Sequence, residues 1–131
     1  HRIDRLVAHS RSRRELLAVV VIELTDLAAV RERWGKSAVN AAQRALADCL
    51  DASLRRVDVV GRVSECGFVV AMPICTAEPA RRRVGEMLSR FQSIAQGDHR
   101  LRSLSTTFGV ADTERTTERL IRRAEDDRLA R

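Results

Sequence analysis

Val57-Asp58-Val59-Val60-Gly61-Arg62-Val63-Ser64-Glu65-Cys66-Gly67-Phe68-Val69-Val70-Ala71-Met72-Pro73 carries two β-branched runs separated by four residues. Residues 57–63 and 68–72 read as strands, with Ser64-Glu65-Cys66-Gly67 between them as a β-hairpin turn. Pro73 stops the second strand because it has no N–H to donate to a ladder. Helical patterns flank the pair on both sides. A hairpin set between helices rules out a simple doubly wound parallel sheet and predicts a mainly antiparallel sheet with helices packed on it.

Upstream of the hairpin, Ala38, Ala42, Ala45, Leu46, Cys49, Leu50 and Leu54 recur at helical spacing, which predicts a helix opened by a Ser37 cap and running to about Leu54. A shorter helix is expected from about Asp26 to Arg33, with Gly35 placed to end it. Residues 16–24 are continuously apolar up to Glu23 and read as a central strand buried on both faces. Residues 1–15 are basic and read as a linker or incoming helix, and His1 in place of Met reads as an excised domain. Downstream, Thr76 opens a helix with Pro79 in its first turn, where a missing N–H costs little, and Met87, Leu88 and Phe91 continue it. Gln96-Gly97-Asp98 reads as a loop and residues 101–110 as a fourth strand. Thr116 or Thr117 caps a last helix through Leu120, Ile121 and Ala124. The domain at 16–131 is thus α/β in content, of the α+β kind, in the order β-α-α-β-β-α-β-α.

The composition narrows what such a domain can do. The chain has 131 residues, 44% of them hydrophobic, enough for one core, and no apolar run long enough to span a membrane. Cys49, Cys66 and Cys75 are odd in number and lack a CxxC spacing, which argues against a disulfide framework or structural zinc and for reduced thiols in the cytoplasm. His1, His9 and His99 form no metal-ligand pattern. The net charge is +6 and almost wholly arginine, Lys36 being the sole lysine. A basic surface suits nucleotides, nucleic acid or an anionic face. With 3% aromatics and no tyrosine there are few stacking platforms for single strands, and no nucleic-acid partner is expected.

Several local residues, taken in order, resemble the GGDEF (diguanylate cyclase-like) family. Glu23 stands where that family places an acidic metal ligand at the end of its first strand, and Trp34-Gly35-Lys36 at its Tyr-Gly-His step. Arg55-Arg56-Val57-Asp58 matches its RxxD. Arg62-Val63-Ser64-Glu65-Cys66-Gly67-Phe68 falls at its Arg-x-Gly-Gly-Asp-Glu-Phe hairpin. Ser105-Thr106-Thr107-Phe108-Gly109-Val110-Ala111 looks like its Thr-Val-Ser-Ile-Gly-Val-Ala strand, and Ala124-Glu125 like the Ala-Asp of its last helix motif. The likeness spans roughly residues 16–126. It implies the palm-like, ferredoxin-related fold of nucleotide cyclases.

The resemblance also implies what the chain lacks. Active members hold GTP and metal ions with the glycines and acidic pair of the hairpin, and phosphoryl transfer depends on such positioning and charge neutralisation. Here Ser64 and Glu65 replace the glycines, and Glu65 puts a carboxylate where triphosphate would lie. Cys66, a soft thiol, replaces a ligand for a hard cation, and Gly67 has no carboxylate. Phe68 alone keeps the signature. Arg31 and Asn40 stand where guanine-reading Asn and Asp are expected. The expectation is therefore no enzyme, no catalytic residue, no bound metal and no required cofactor.

What the resemblance retains is the product-inhibition site. The RxxD ends five residues before the hairpin turn, as in the family, where such a site binds cyclic di-GMP. Arg55 and Arg62 supply planar forks for guanine or phosphate, and Asp58 an acceptor for the guanine edge. Arg62 is expected on the same strand face as Asp58. Arg81, Arg82 and Arg83 are candidates for a further guanidinium. The expected function is a bacterial signalling effector that binds cyclic di-GMP through Arg55, Asp58 and Arg62 and relays it through adjacent domains, protein partners or a homodimer. The alternatives are a ligand-free interaction or dimerisation module and a GTP-sensing pseudo-enzyme.

Overall fold

The computed structural model describes residues 2–13, 15–112 and 117–130. The elements are α1 (Arg2–Arg13), β1 (Leu17–Thr25), α2 (Leu27–Trp34), α3 (Lys36–Ser53), β2 (Val59–Arg62), β3 (Gly67–Pro73), α4 (Ala77–Gln96), β4 (Ser105–Asp112) and α5 (Thr117–Ala130). The strands form one sheet in the order β2-β3-β1-β4. Every pairing is antiparallel, with Val20 opposite Val70 on one side and Val110 on the other. None of the described helices is long and apolar enough to cross a membrane.

β1 is apolar throughout because both of its faces are covered. Ala18, Val20, Ile22 and Leu24 join Phe68, Val70 and Met72 of β3 beneath α2, α3 and α4, which contribute Val30, Leu46, Leu50, Val84, Met87 and Phe91. Leu17, Val19 and Val21 face the other way, toward Val59, Val69 and Ala111, and are covered by Ile3 and Val7 of α1 and Ala124 of α5. Alternate residues of one strand thus feed two cores. Residues 2–13 form a helix, and its buried Ile3 and Val7 make it a packed layer of the sheet.

Several boundaries differ from the sequence expectation. Gly35 ends α2 with φ 84, a conformation open to glycine, and α3 starts at the next residue. Ser37 therefore lies inside α3 and does not cap it. The second strand is four residues, Val59–Arg62, because residues 55–58 close a turn in which Asp58 N–H donates to Arg55 O at 3.0 Å. The fourth strand begins at Ser105, not 101. Leu101 and Leu104 are buried, but as plugs from consecutive turns closed by Leu101 N–H to Asp98 O and Leu104 N–H to Leu101 O. The same loop is fastened by Asp98 and Arg100, whose guanidinium and backbone N–H hold the Asp98 carboxyl down at about 2. The Thr116 cap lies outside the described residues.

Thr76 is the N-cap residue of α4, but its side chain makes no capping bond. The cap comes from the end of β4, where Asp112 Oδ2 accepts from Ala77 N–H at 2.8 Å. A carboxylate there satisfies an unpaired amide and complements the positive helix terminus. Asp112→Ala is expected to cost about 1 kcal/mol in urea denaturation and to speed amide exchange in the first turn of α4. Unchanged stability and exchange would show that solvent caps this helix equally well.

Candidate functional site

The two ends of the sheet carry different chemistry. At the hairpin end, Val63 N–H donates to Gly67 O at 3.0 Å and Leu24 N–H to Cys66 O at 2.8 Å, which fixes the turn against the end of β1. Ser64 and Glu65 are exposed at the tip, and Ser64 Oγ lies 3.8 Å from Cys66 Sγ. The Glu65 carboxylate forms an ion pair with Arg31 of α2, while Gln43 Nε2 of α3 donates to Glu65 O at 2.7 Å. Arg31 of α2 and Glu65 of the hairpin are thus tied to each other. Glu23 is half-exposed and its carboxylate lies 3.6 Å from Arg128 of α5, whose Nη1 also donates to Thr107 Oγ1 at 3.1 Å.

Beside the hairpin runs a groove of about 640 Å³ between α3 and the β2–β3 pair, lined among others by Asn40, Gln43, Arg44, Asp51, Arg62 and Phe68. Trp34 stands at the corner between α2 and α3. Its ring meets His99 edge-on at 4.9 Å between centroids, and the Arg33 guanidinium carbon lies 5.1 Å from the indole centroid.

At the opposite end, α3 stops at Ser53 and the chain turns through residues 55–58. Arg55 is wrapped around Asp58. Its backbone N–H donates to Oδ2 at 2.7 Å, and its Nη2 and Nε donate to Oδ1 at 2.9 and 3.2 Å. Nη2 also donates to Pro73 O at 2.6 Å, joining the turn to the end of β3. The Asp58 side chain is 0% exposed and that of Arg55 is 35% exposed. A carboxylate is held at such depth only by donors of this kind. The guanidinium, not the carboxylate, therefore faces outward.

Arg55 and Asp58 line a second groove, of about 440 Å³, together with Arg2 of α1, Asp51 and Leu54 of α3, Arg56, and the start of β2. The structure brings Arg55 and Asp58 together but sets Arg62 on the neighbouring groove, the two sharing Asp51 and Val60. Arg81 is turned away, paired with Glu78 and with Asp127 of α5. Arg82 and Arg83 line neither of these grooves. Nearby, burial pushes the Cys75 thiol up, against the pull of Arg55 and Arg83. Arg2, Asp51 and Arg56 were not singled out from the sequence. Asp51 carries only the weak signal of an acidic residue on the last helical turn before the RxxD, and the approach of Arg2 is a product of tertiary packing.

The profile described as "Diguanylate cyclase, GGDEF domain" matches residues 1–129. No curated protein sequence matches. Among solved structures, the GGDEF domain of DgcB from Caulobacter crescentus in complex with c-di-GMP superposes with a TM-score of 0.86 at 15% identity, covering 98% of this chain and 79% of that one. The active GGEEF domain of a diguanylate cyclase from Vibrio cholerae gives 0.85 at 15% identity, over 98% and 84%. The GGDEF domain of TpbB, also called YfiN, from Pseudomonas aeruginosa gives 0.83 at 24% identity, over 98% and 78%. The family match over nearly the whole chain and the antiparallel palm-like α+β fold agree: the chain belongs to the GGDEF domain family.

Proposed function

We propose that this domain is a non-catalytic signalling module that binds cyclic di-GMP at the Arg55–Asp58 end of the sheet, with Arg62 flanking it, and relays occupancy to attached domains or protein partners. The observation that carries the reading is the contrast between the two ends. At the hairpin end, where GTP chemistry would occur, Glu65 is bound to Arg31 and the donors near the turn are a thiol, Cys66, and a carboxylate, Glu23, that faces Arg128. That set does not fit a hard divalent cation, which demands several oxygens. At the other end an outward guanidinium, held flat by a buried carboxylate, lines an open groove. The two N–H groups of its Nη1, which neither Asp58 nor Pro73 O takes up, suit a guanine acceptor or phosphate oxygens.

The test is calorimetric titration of cyclic di-GMP into the chain and into Arg55→Lys, which keeps the charge and loses the planar fork. Micromolar or tighter binding is expected, weakened about tenfold or more by the substitution. No product is expected from GTP and Mg²⁺. Product formation would overturn the non-catalytic reading. A folded chain that binds no cyclic di-GMP would leave the interaction module in its place.

A further inference from the structure

Resting on that reading, we infer that the ligand is held by Arg55 together with residues that the RxxD pattern does not specify. Asp51 accepts the base edge, Arg2 and Arg56 join Arg55 around the phosphodiester, and occupancy thereby fastens α1 to the start of β2. The Asp58 side chain is 0% exposed and both of its oxygens accept from Arg55, so it orients that guanidinium and does not reach a ligand. Asp51 is exposed on the last turn of α3 and lines the same groove. An ionised carboxylate accepts two parallel N–H bonds. The Watson–Crick edge of guanine offers such a pair, and that of adenine does not.

The charges around Asp51 define the rest of the ligand. Arg55 is neutralised by Asp58, which leaves Arg2 and Arg56 against Asp51 and the groove net positive. Cations alone would accept any polyanion. The added carboxylate repels one that does not also carry N–H donors, so the groove selects a guanine-bearing phosphodiester by attraction and exclusion together.

Arg2 is the first residue of α1, which is held on the sheet by the small apolar contact of Ile3 and Val7. Ile3 Cδ1 lies 3.4 Å from where a Cβ on Gly61 of β2 would stand, so this end of α1 rests directly on the edge strand. A ligand bonded to Arg2 and to Arg55 or Arg56 would bridge α1 to the α3–β2 turn. Its binding energy would then be shared with the docking of that helix.

Cyclic di-GMP and cyclic di-AMP titrated into the chain, Asp51→Asn and Arg2→Ala, with hydrogen exchange of α1 amides in each, test the proposal. Asp51→Asn should weaken cyclic di-GMP about tenfold and narrow its preference over cyclic di-AMP. Arg2→Ala should weaken it about fivefold and abolish the ligand-dependent slowing of α1 exchange. Melting temperatures without ligand should not move, since both side chains are exposed. Undiminished binding by both variants, with α1 exchange indifferent to ligand, would overturn this residue set and leave the cyclic di-GMP reading standing. Weakening by Asp51→Asn with α1 exchange unchanged would overturn the coupling to α1. No binding by the folded wild-type chain would instead remove the reading on which the proposal rests.

Discussion

Gly109→Ala is expected to lower stability by about 3 kcal/mol or more and the melting temperature by on the order of 10 °C. A Cβ at this position would stand 1.5 Å from Ala124 O and 2.5 Å from Arg128 N, both backbone atoms of α5. A crowded side chain can swing aside, but a helix backbone moves only as a unit. Either α5 lifts from β4 or the strand bends, and each breaks further contacts. Asp127 Oδ2 accepts from Val110 N–H at 3.1 Å, and Arg128 reaches Thr107 and Glu23 across the same junction. Ala124 is fully buried against the sheet and would be pulled into water. Urea denaturation measures the loss, and amide exchange should locate it in β4 and α5. A cost below about 1 kcal/mol would show that α5 docks elsewhere on the sheet.

Asp58→Ala is expected to cost about 2 kcal/mol in the absence of any ligand. The substitution removes the acceptor for one backbone and two side-chain nitrogens of Arg55 and frees a turn that begins β2. Arg55→Ala should cost about 2–3 kcal/mol, since it leaves a fully buried carboxylate without its partner. The penalty stays below that of a deeply buried pair because Arg55 is about one-third exposed and water can enter behind it. Arg55→Lys keeps the charge and should cost least. Denaturant midpoints of the three variants, measured without nucleotide, provide the check. Wild-type stability in Asp58→Ala would mean that the pair is not a clamp and that its carboxylate is free to meet a ligand.

Much of this architecture was legible because it is local. The two β-branched runs on either side of residues 64–67 announced an antiparallel hairpin, and Pro73 marked its end. The unbroken apolar run ending at Glu23 announced a strand covered on both faces. The boundaries that shifted were set by interactions outside the local pattern. Val57 has the composition of a strand residue, yet it lies in a turn closed by Arg55 and Asp58 and is 58% exposed. Leu101 and Leu104 have the burial of strand residues without the ladder, so hydrophobicity alone placed the strand too early. Thr76 opens α4 as its place in the sequence suggests, but the capping acceptor is Asp112, far along the chain. At the candidate site the sequence named Arg55 and Asp58 but not their depth. An RxxD reads the same whether its carboxylate faces solvent or, as here, is enclosed by its own arginine.

Trp34 gives the two ends of the sheet different optical visibility. It is the sole tryptophan of the chain. It lies beyond Arg31 on α2, at the hairpin end, with His99 and Arg33 against its ring. The length of β3 places that end about 20 Å from the Arg55 groove. Indole emission therefore works as a built-in reporter of one face only. Events that move the end of α2 or the loop carrying His99 change its surroundings directly, while a ligand in the distant groove registers only if it remodels the sheet between them. A dark titration that still releases heat would place the ligand at the far end without a single added label.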